Sequence, residues 1–339
     1  MKTEKNPKFL ESKRILFNPT ILALKSNLRL LFAKPDVEYE FKLPLLVATG
    51  FQRSGTALMT QLLRNHPQLL SYFSELHIGR PNKYFWPDLK GISSSKERFK
   101  RLIPRNHARK FWRIRSNRRG IKRNFLFDFT IFKRNFYKLD KNSDRQRDTL
   151  NSFFTSYFSA YLNHSYNNLF ENYKFIHASI PGLTRHKESV TAFFDDYPDG
   201  FLLVMIRNPF QWYNSAKHHS KEFAENGLKL YESHLTNCLS CASEYVGKFI
   251  IISFEDLLAD VEGTMKVICE MIGIEFCDVL TYPSNFPYGG IDNSTFGKNP
   301  TSKVIAEKLK RKIDLSDAES DYISRNLIHL YDKLMEKKL

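Results

Sequence analysis

The chain has 339 residues, of which 42% are hydrophobic, with 29 Phe and 16 Tyr. That is enough apolar material for a sizeable core, and it excludes disorder as the main state. A formal charge of +16 points to an anionic partner such as a nucleotide, a nucleic acid, an acidic glycan or a membrane surface. A chain this long, with four cysteines, does not need a disulfide framework, and no run reaches the roughly 18–20 uncharged apolar residues that a membrane span requires.

Residues 1–40 read as an N-terminal extension and 41–339 as the main domain. Ile15 to Phe32 has the pattern of a short amphipathic helix, which would pack on the body or touch a membrane face. Leu43 to Thr49 is an apolar run ended by Gly50, and it predicts a buried strand. Thr56 to Arg64 carries Leu58, Met59, Leu62 and Leu63 at helical spacing. The order is strand, glycine-containing loop, helix. Leu69 to Phe73 predicts the next strand, and residues 93–123 are basic without clear periodicity.

Thr149 to Tyr173 predicts an aromatic helix, whose Phe153, Phe154, Tyr157, Phe158 and Tyr161 recur at the period of core packing. Phe175 to Ile180, Phe201 to Ile206 and Phe249 to Ser253 predict buried strands. Helices are expected over 210–225, 228–246, 261–272 and 316–336. The Cys238-x-x-Cys241 pair falls inside one of them and reads as two small core residues, because no second pair sits at zinc spacing. Strands alternating with helices predict an α/β fold with a central parallel sheet covered by helices on both faces.

The first junction reads Gly50-Phe51-Gln52-Arg53-Ser54-Gly55-Thr56-Ala57. Gly50 and Gly55 have the spacing of a Walker A loop, in which backbone N–H groups at a helix N-terminus face an anion. Thr56 stands where the phosphate-clamping lysine would be, and Ala57 stands where a Mg²⁺-binding hydroxyl would be. The loop is therefore suited to an anion and poorly suited to Mg-ATP. Further along, the strand over 201–206 runs into Arg207-Asn208-Pro209, with Ser215 eight residues after Arg207. Such an arginine would emerge at the carboxyl edge of the sheet, where open α/β sheets bind ligands. Its planar fork suits a phosphate.

Arg53-Ser54-Gly55-Thr56 after a strand, with Leu58 to Pro67 downstream, resembles the 5′-phosphosulfate loop of sulfotransferases that use 3′-phosphoadenosine 5′-phosphosulfate (PAPS). The resemblance covers roughly residues 43–335, and it implies a P-loop-like three-layer fold, PAPS as donor, adenosine 3′,5′-bisphosphate (PAP) as product, and no metal. It implies that Arg53 reaches the bridging region of the phosphosulfate. Ser54, Gly55, Thr56 and Ala57 would supply backbone amides, Thr56 also a hydroxyl, and Arg207 with Ser215 would bind the 3′-phosphate. Many members carry a second threonine where this chain has Ala57, so one side-chain contact is lost. Tyr197-Pro198, Phe254-Glu255-Asp256-Leu257 and the late Asp292 to Phe296 segment are similar to further family segments, and Lys298 and Lys303 are candidate lid cations.

Phe73-Ser74-Glu75-Leu76-His77 closes the strand after the first helix. In carbohydrate and tyrosyl-protein members a Glu in about this place is the base, so Glu75 is the expected general base and His77 the second candidate. A salt bridge from Glu75 to Arg80 is the structural alternative. Arg105 to Arg123 contains nine Lys/Arg and no acid; it reads as a nucleic-acid-binding stretch, as a solvated helix face or as a binding surface for an anionic acceptor. The sequence thus predicts a cytoplasmic enzyme, free or in peripheral contact with a membrane. It would move a sulfuryl group to a hydroxyl or amine of a carbohydrate, glycolipid or other acceptor, with nucleic acid a disfavoured partner. A P-loop kinase-like phosphotransferase and a non-catalytic basic nucleic-acid- or glycan-binding protein are the alternatives.

Overall fold

A computed structural model describes residues 40, 42–79, 82, 84–103, 115–116, 122–123, 129–160, 172–283 and 313–339. The expected N-terminal helix, most of the basic stretch, Arg80, Tyr161 and the segment with Asn293, Lys298 and Lys303 lie outside the described residues. The chain divides into two compact units, one of Met1–Lys42 with Leu89–Phe170 and one of Leu43–Asp88 with Glu171–Leu339.

The second unit holds five strands: β1 (Leu45–Gly50), β2 (Leu69–Glu75), β3 (Phe175–Ser179), β4 (Phe201–Ile206) and β5 (Phe249–Ser253). They form one sheet in the order β2-β3-β1-β4-β5, and every neighbouring pair is parallel. All residues of β1, β3 and β5 are buried, which is why these strands read as unbroken apolar runs and not as alternating ones. Helix α1 (Thr56–Leu63) joins β1 to β2. Leu58, Met59, Leu62 and Leu63 of α1 share one apolar cluster with Leu46, Ala48, Leu203, Met205, Ile250 and Ile252 of the sheet.

The chain leaves β1 toward β2 on one side and leaves β4 toward β5 on the other. The β1/β4 boundary is therefore a topological switch point, and the crevice beyond the carboxyl ends of these two strands is where such sheets bind ligands. The predicted β1, α1 and β2 appear within two residues of their expected ends, and β4 and β5 match the expected ranges. The Asn65-His66-Pro67 turn is a structural joint. His66 Nδ1 accepts from the Gln68 N–H at 3.2 Å, and its Nε2 lies 2.6 Å from the Glu275 carbonyl.

In the first unit, α2 (Ser95–Leu102), α3 (Phe129–Leu139) and α4 (Gln146–Ser159) bring Phe99, Phe132, Phe136, Phe153 and Tyr157 into a buried aromatic cluster. The aromatic spacing of α4 is core packing, as expected. Arg98 Nε donates to Asp140 Oδ2 at 2.8 Å, a pair with both side chains almost out of solvent.

Three elements differ from expectation. The predicted break between helices at 226–227 is absent. Helix α6 (Pro209–Ala216) ends earlier, and α7 runs unbroken over Lys221–Glu244, because Ser220 caps it by accepting from the Phe223 N–H. Gly227 sits inside α7, where an added Cβ would lie 3.2 Å from the Tyr213 ring. This glycine permits close helix packing and does not end a helix. The expected C-terminal helix is two, α10 (Asp317–Asn326) and α11 (Ile328–Met335), interrupted at the fully buried Leu327. Between β3 and β4 lies α5 (Lys187–Asp196), which the sequence reading did not place. Helices α8 (Phe254–Ala259) and α9 (Val261–Ile272) follow β5.

Candidate functional site

Gly50 and Gly55 are fixed by space as well as by conformation. Gly50 has φ +142°, and a Cβ there would fall 2.5 Å from the Met205 carbonyl oxygen of β4. Gly55 has φ +98°, and its Cβ would fall 2.3 Å from the Phe254 ring. Between them the chain turns tightly, with the Ser54 N–H donating to the Phe51 carbonyl at 3.1 Å. Arg53 has φ +73° and is the single non-glycine residue with positive φ among those described. A bulky residue held there is strained, and such strain collects at functional sites.

Helix α1 begins at this loop with Gly55 as its N-cap. No side chain caps it and no acid occupies its first turn. Its leading N–H groups and the positive end of its dipole thus face the crevice without a protein anion. The Thr56 side-chain hydroxyl is buried with no hydrogen-bond partner, as is the Gln52 side-chain amide. An unsatisfied hydroxyl beside an uncapped helix N-terminus suits an oxyanion ligand. Ala57, exposed in the first turn, supplies no hydroxyl, so its contribution is limited to the backbone.

The second half of the site meets the first. Arg53 Nε and Nη2 donate to Ser215 Oγ at 3.2 and 3.1 Å. Arg207 Nη1 donates to the Arg53 carbonyl at 3.1 Å. Residues more than 150 positions apart are therefore in direct contact. Asn208 caps α6 by accepting from the N–H groups of Phe210 and Gln211, with Pro209 in the first turn. This cap holds Arg207 at the sheet edge and puts Ser215 in the second turn of α6. The Arg207 guanidinium lies 4.7 Å from the centre of the Phe254 ring, the same ring that meets Gly55. Glu255 Oε1 accepts from the Asn208 N–H at 3.2 Å. Burial pushes the Glu255 carboxyl up, opposed by backbone hydrogen bonds and by the Arg207 charge.

Glu75 and His77 are together but not beside the phosphate loop. The sheet order puts β3 between β2 and β1, and two strand spacings set β2 about 10 Å to the side. The expectation that both lie next to the loop is corrected accordingly: the first helix carries the chain over β3 to the sheet edge. His77 Nε2 lies 2.9 Å from Glu75 Oε2, and the alternative pairing with Arg80 lies outside the described residues. Glu75 is half exposed and His77 mostly buried. Ser71 pairs with His177 and Glu75 with Ser179, so four residues of β2 span what two span on β3. A bulge of this kind re-aims the side chain that follows it.

Several residues around the site were not singled out from sequence. Arg185 follows β3 and lies over the rings of Phe51 and Tyr84 at 5.2 and 5.1 Å, with Glu222 Oε1 3.5 Å from its Nη2. Trp212 Nε1 donates to the Gln52 carbonyl at 2.8 Å, and the Tyr231 hydroxyl donates to the Arg207 carbonyl at 2.6 Å. In sequence both are apolar positions of amphipathic helices, and nothing in that period separates them from core residues. Cys238 and Cys241 are buried free thiols, and burial pushes Cys241 up to about 11. Among the described residues, no group of three or more His, Cys, Asp or Glu is placed to hold a metal ion, and no helix is long and apolar enough to cross a membrane.

A central parallel sheet, a glycine loop and an uncapped helix N-terminus at the switch point define a P-loop-like α/β protein. A family model described as "Sulfotransferase family" matches residues 44–278, and the chain belongs to that family of transferases. The kinase-like alternative and the non-catalytic alternative are thereby set aside. Among solved structures, the sulfotransferase domain from the Synechococcus PCC 7002 olefin synthase is similar at 16% identity, over 89% of this chain and 98% of that one, with a TM-score of 0.48. The sulfotransferase domain from the curacin biosynthetic pathway is similar at 16% identity, over 85% and 98%, with a TM-score of 0.49. A sulfotransferase from Alicyclobacillus acidocaldarius is similar at 12% identity, over 87% and 96%, with a TM-score of 0.42. No curated protein matches the chain.

Proposed function

We propose that this sulfotransferase takes the sulfuryl group from PAPS and delivers it to a hydroxyl or amine of a carbohydrate or glycoconjugate acceptor. The observation that carries this reading is the convergence of Arg53, Ser215 and Arg207 on an uncapped helix N-terminus. One end offers N–H groups and the Thr56 hydroxyl for a 5′-phosphosulfate, and the other offers an arginine fork for a 3′-phosphate. PAPS carries both anions on one nucleoside.

The bound donor supplies the sulfur: the acceptor oxygen or nitrogen forms its new bond to sulfur as the bond from sulfur to the 5′-phosphate oxygen breaks, and PAP departs. The residues of this chain supply the rest. The N–H groups of Gly55 to Ala57 and the Arg53 guanidinium stabilise charge on the departing phosphate, while the Ser54 N–H closes the turn to Phe51; being held before reaction, these groups reorganise little. Arg207 and Ser215 fix the nucleoside at its far end. Glu75, which follows the β2 bulge and lies beyond β3 from the loop, takes the acceptor proton, with His77 Nε2 2.9 Å from its carboxylate. That lateral offset leaves room for the acceptor between the loop and the base. The basic stretch 105–123 is the candidate surface for an anionic acceptor.

The test is a titration with PAP, ATP and AMP, followed by turnover of labelled PAPS against a panel of carbohydrate and glycolipid acceptors. PAP should bind in preference to ATP, and transfer should continue in excess EDTA because Ala57 offers Mg²⁺ no ligand. A preference for ATP together with strict Mg²⁺ dependence would refute the donor reading.

A further inference from the structure

Behind the anion loop stands a wall of aromatic side chains that the reaction itself does not use. Trp212 of α6 and Tyr231 of α7 are both fully buried. Their rings stack face to face, with centroids 4.0 Å apart and planes 9° from parallel. Phe51, the first residue of the loop, packs on both, at 5.3 and 5.7 Å. Gly227 lies alongside: a Cβ there would be in ordinary contact with Trp212 Cη2, at 3.6 Å, and tight only against the Tyr213 ring, at 3.2 Å.

The polar ends of this stack have specific targets. Trp212 Nε1 donates to the Gln52 carbonyl at 2.8 Å. The Tyr231 hydroxyl donates to the Arg207 carbonyl at 2.6 Å and accepts from the Arg207 N–H at 3.3 Å. Packing alone would be served by Phe at both positions, without the need to satisfy a buried indole N–H and a buried phenol. One ring is tied to the backbone of the loop and the other to the backbone of the arginine, and the two rings are pressed together. The stack also holds the carbonyl that precedes Arg53, while Arg207 holds the carbonyl of Arg53 itself. The left-handed backbone at Arg53 is thus braced from both sides.

We propose that the Trp212–Tyr231 stack is a positioning device that fixes the separation between the anion loop and Arg207, and so sets how strongly the site prefers an adenosine bisphosphate to a monophosphate. The inference rests on the donor reading above. Neither residue touches the crevice, so both are positioning residues and not catalytic ones.

The experiment uses the full chain and its Tyr231→Phe and Trp212→Phe variants, titrated with PAP and with AMP, with the melting temperature measured alongside. Tyr231→Phe keeps the stack but leaves both backbone groups of Arg207 without this partner. PAP affinity should fall by about five- to a hundredfold, the range expected for a buried hydrogen bond lost on one side, while AMP affinity stays within about twofold. Trp212→Phe frees the loop, which both ligands need, so both affinities should fall together. In Tyr231→Phe a purely structural role would lower the melting temperature and leave the PAP/AMP ratio at the parent's value, and that result overturns the inference. Trp212→Phe carries the test if Tyr231→Phe does not fold, and unchanged affinities in it would overturn the inference as well. A parent that binds PAP and AMP equally overturns the donor reading first, and the inference with it. A parent that prefers PAP, with Tyr231→Phe retaining that preference in full, overturns the inference alone.

Discussion

Gly55→Ala tests whether the loop, the Phe254 ring and Arg207 form one mechanical unit. The added methyl would meet two atoms of the Phe254 ring at 2.3 and 2.7 Å, far inside contact distance, and the backbone there has φ +98°. The backbone alone costs about 1–2 kcal/mol for an L-residue in a left-handed conformation. Forcing a methyl into a filled space adds about 1–3 kcal/mol, so the expected destabilisation is about 2–5 kcal/mol by urea denaturation. The ring cannot yield freely, because its face carries the Arg207 guanidinium at 4.7 Å. Displacing it should move Arg207 and weaken PAP binding in the fraction that folds. Phe254→Ala in the Gly55→Ala background removes the collision but not the backbone strain, so the double-mutant cycle should show a coupling of about 1–3 kcal/mol, the size of the overpacking term. Additivity to within about 0.5 kcal/mol would show that the two residues do not press on one another.

Three further outcomes follow from the same geometry. Arg207→Ala should weaken PAP by roughly ten- to a hundredfold, the value of one charge-assisted contact, and weaken adenosine 5′-phosphosulfate much less, through the Arg53 carbonyl that Arg207 also holds; equal PAP affinity in mutant and parent would dissociate Arg207 from the 3′-phosphate. Glu75→Gln should lower kcat by about 10²–10⁴ with donor affinity retained, and His77→Gln should cost less because Glu75 keeps its basicity; the reverse ranking would move the base to His77. Burial holds His177 and His234 at about 3, below their ordinary 6.5, so the unfolded chain binds more protons than the folded one between those values. Stability is therefore present above about pH 6.5 and falls as the pH drops, by about 2 kcal/mol per histidine at pH 5. Urea midpoints at pH 7 and 5 measure this, His177→Asn should remove about half of the dependence, and equal stability at the two pH values would contradict it.

The sheet and the anion loop were legible in sequence because each is a local property. A strand buried on both faces must be apolar throughout, so β1, β3, β4 and β5 stand out as short runs, and the glycines mark where the backbone must turn. Strand order is not local. The β2 segment reads the same whether it lies next to β1 or beyond β3, and Glu75 was therefore expected nearer the loop than it is. The gap expected between the helices at 226–227, which contains Gly227, is absent for a related reason. A glycine in a helical pattern signals either a stop or a close contact, and only the neighbouring Tyr213 and Trp212 rings decide which.

The arginines show how far motif spacing reaches. A spacing of eight from Arg207 to Ser215 puts both on one turn-and-helix unit, but the spacing says nothing of what Ser215 faces. In the folded chain its hydroxyl accepts from Arg53, so the two halves of the site share a residue. That link makes the loop and the α6 segment cooperative. On the proposed donor reading, a change at Ser215 would act on Arg53 as well as on the 3′-phosphate. Ser215→Ala removes a hydroxyl from Arg53, whose unusual backbone is already held on one side by Arg207 and on the other by Trp212 through Gln52. The guanidinium then loses a partner that fixed its direction, and transition-state stabilisation depends on direction. Ser215→Ala should therefore lower kcat as well as donor affinity, whereas a serine that served the 3′-phosphate alone would change affinity and leave the rate of the bound complex as it was.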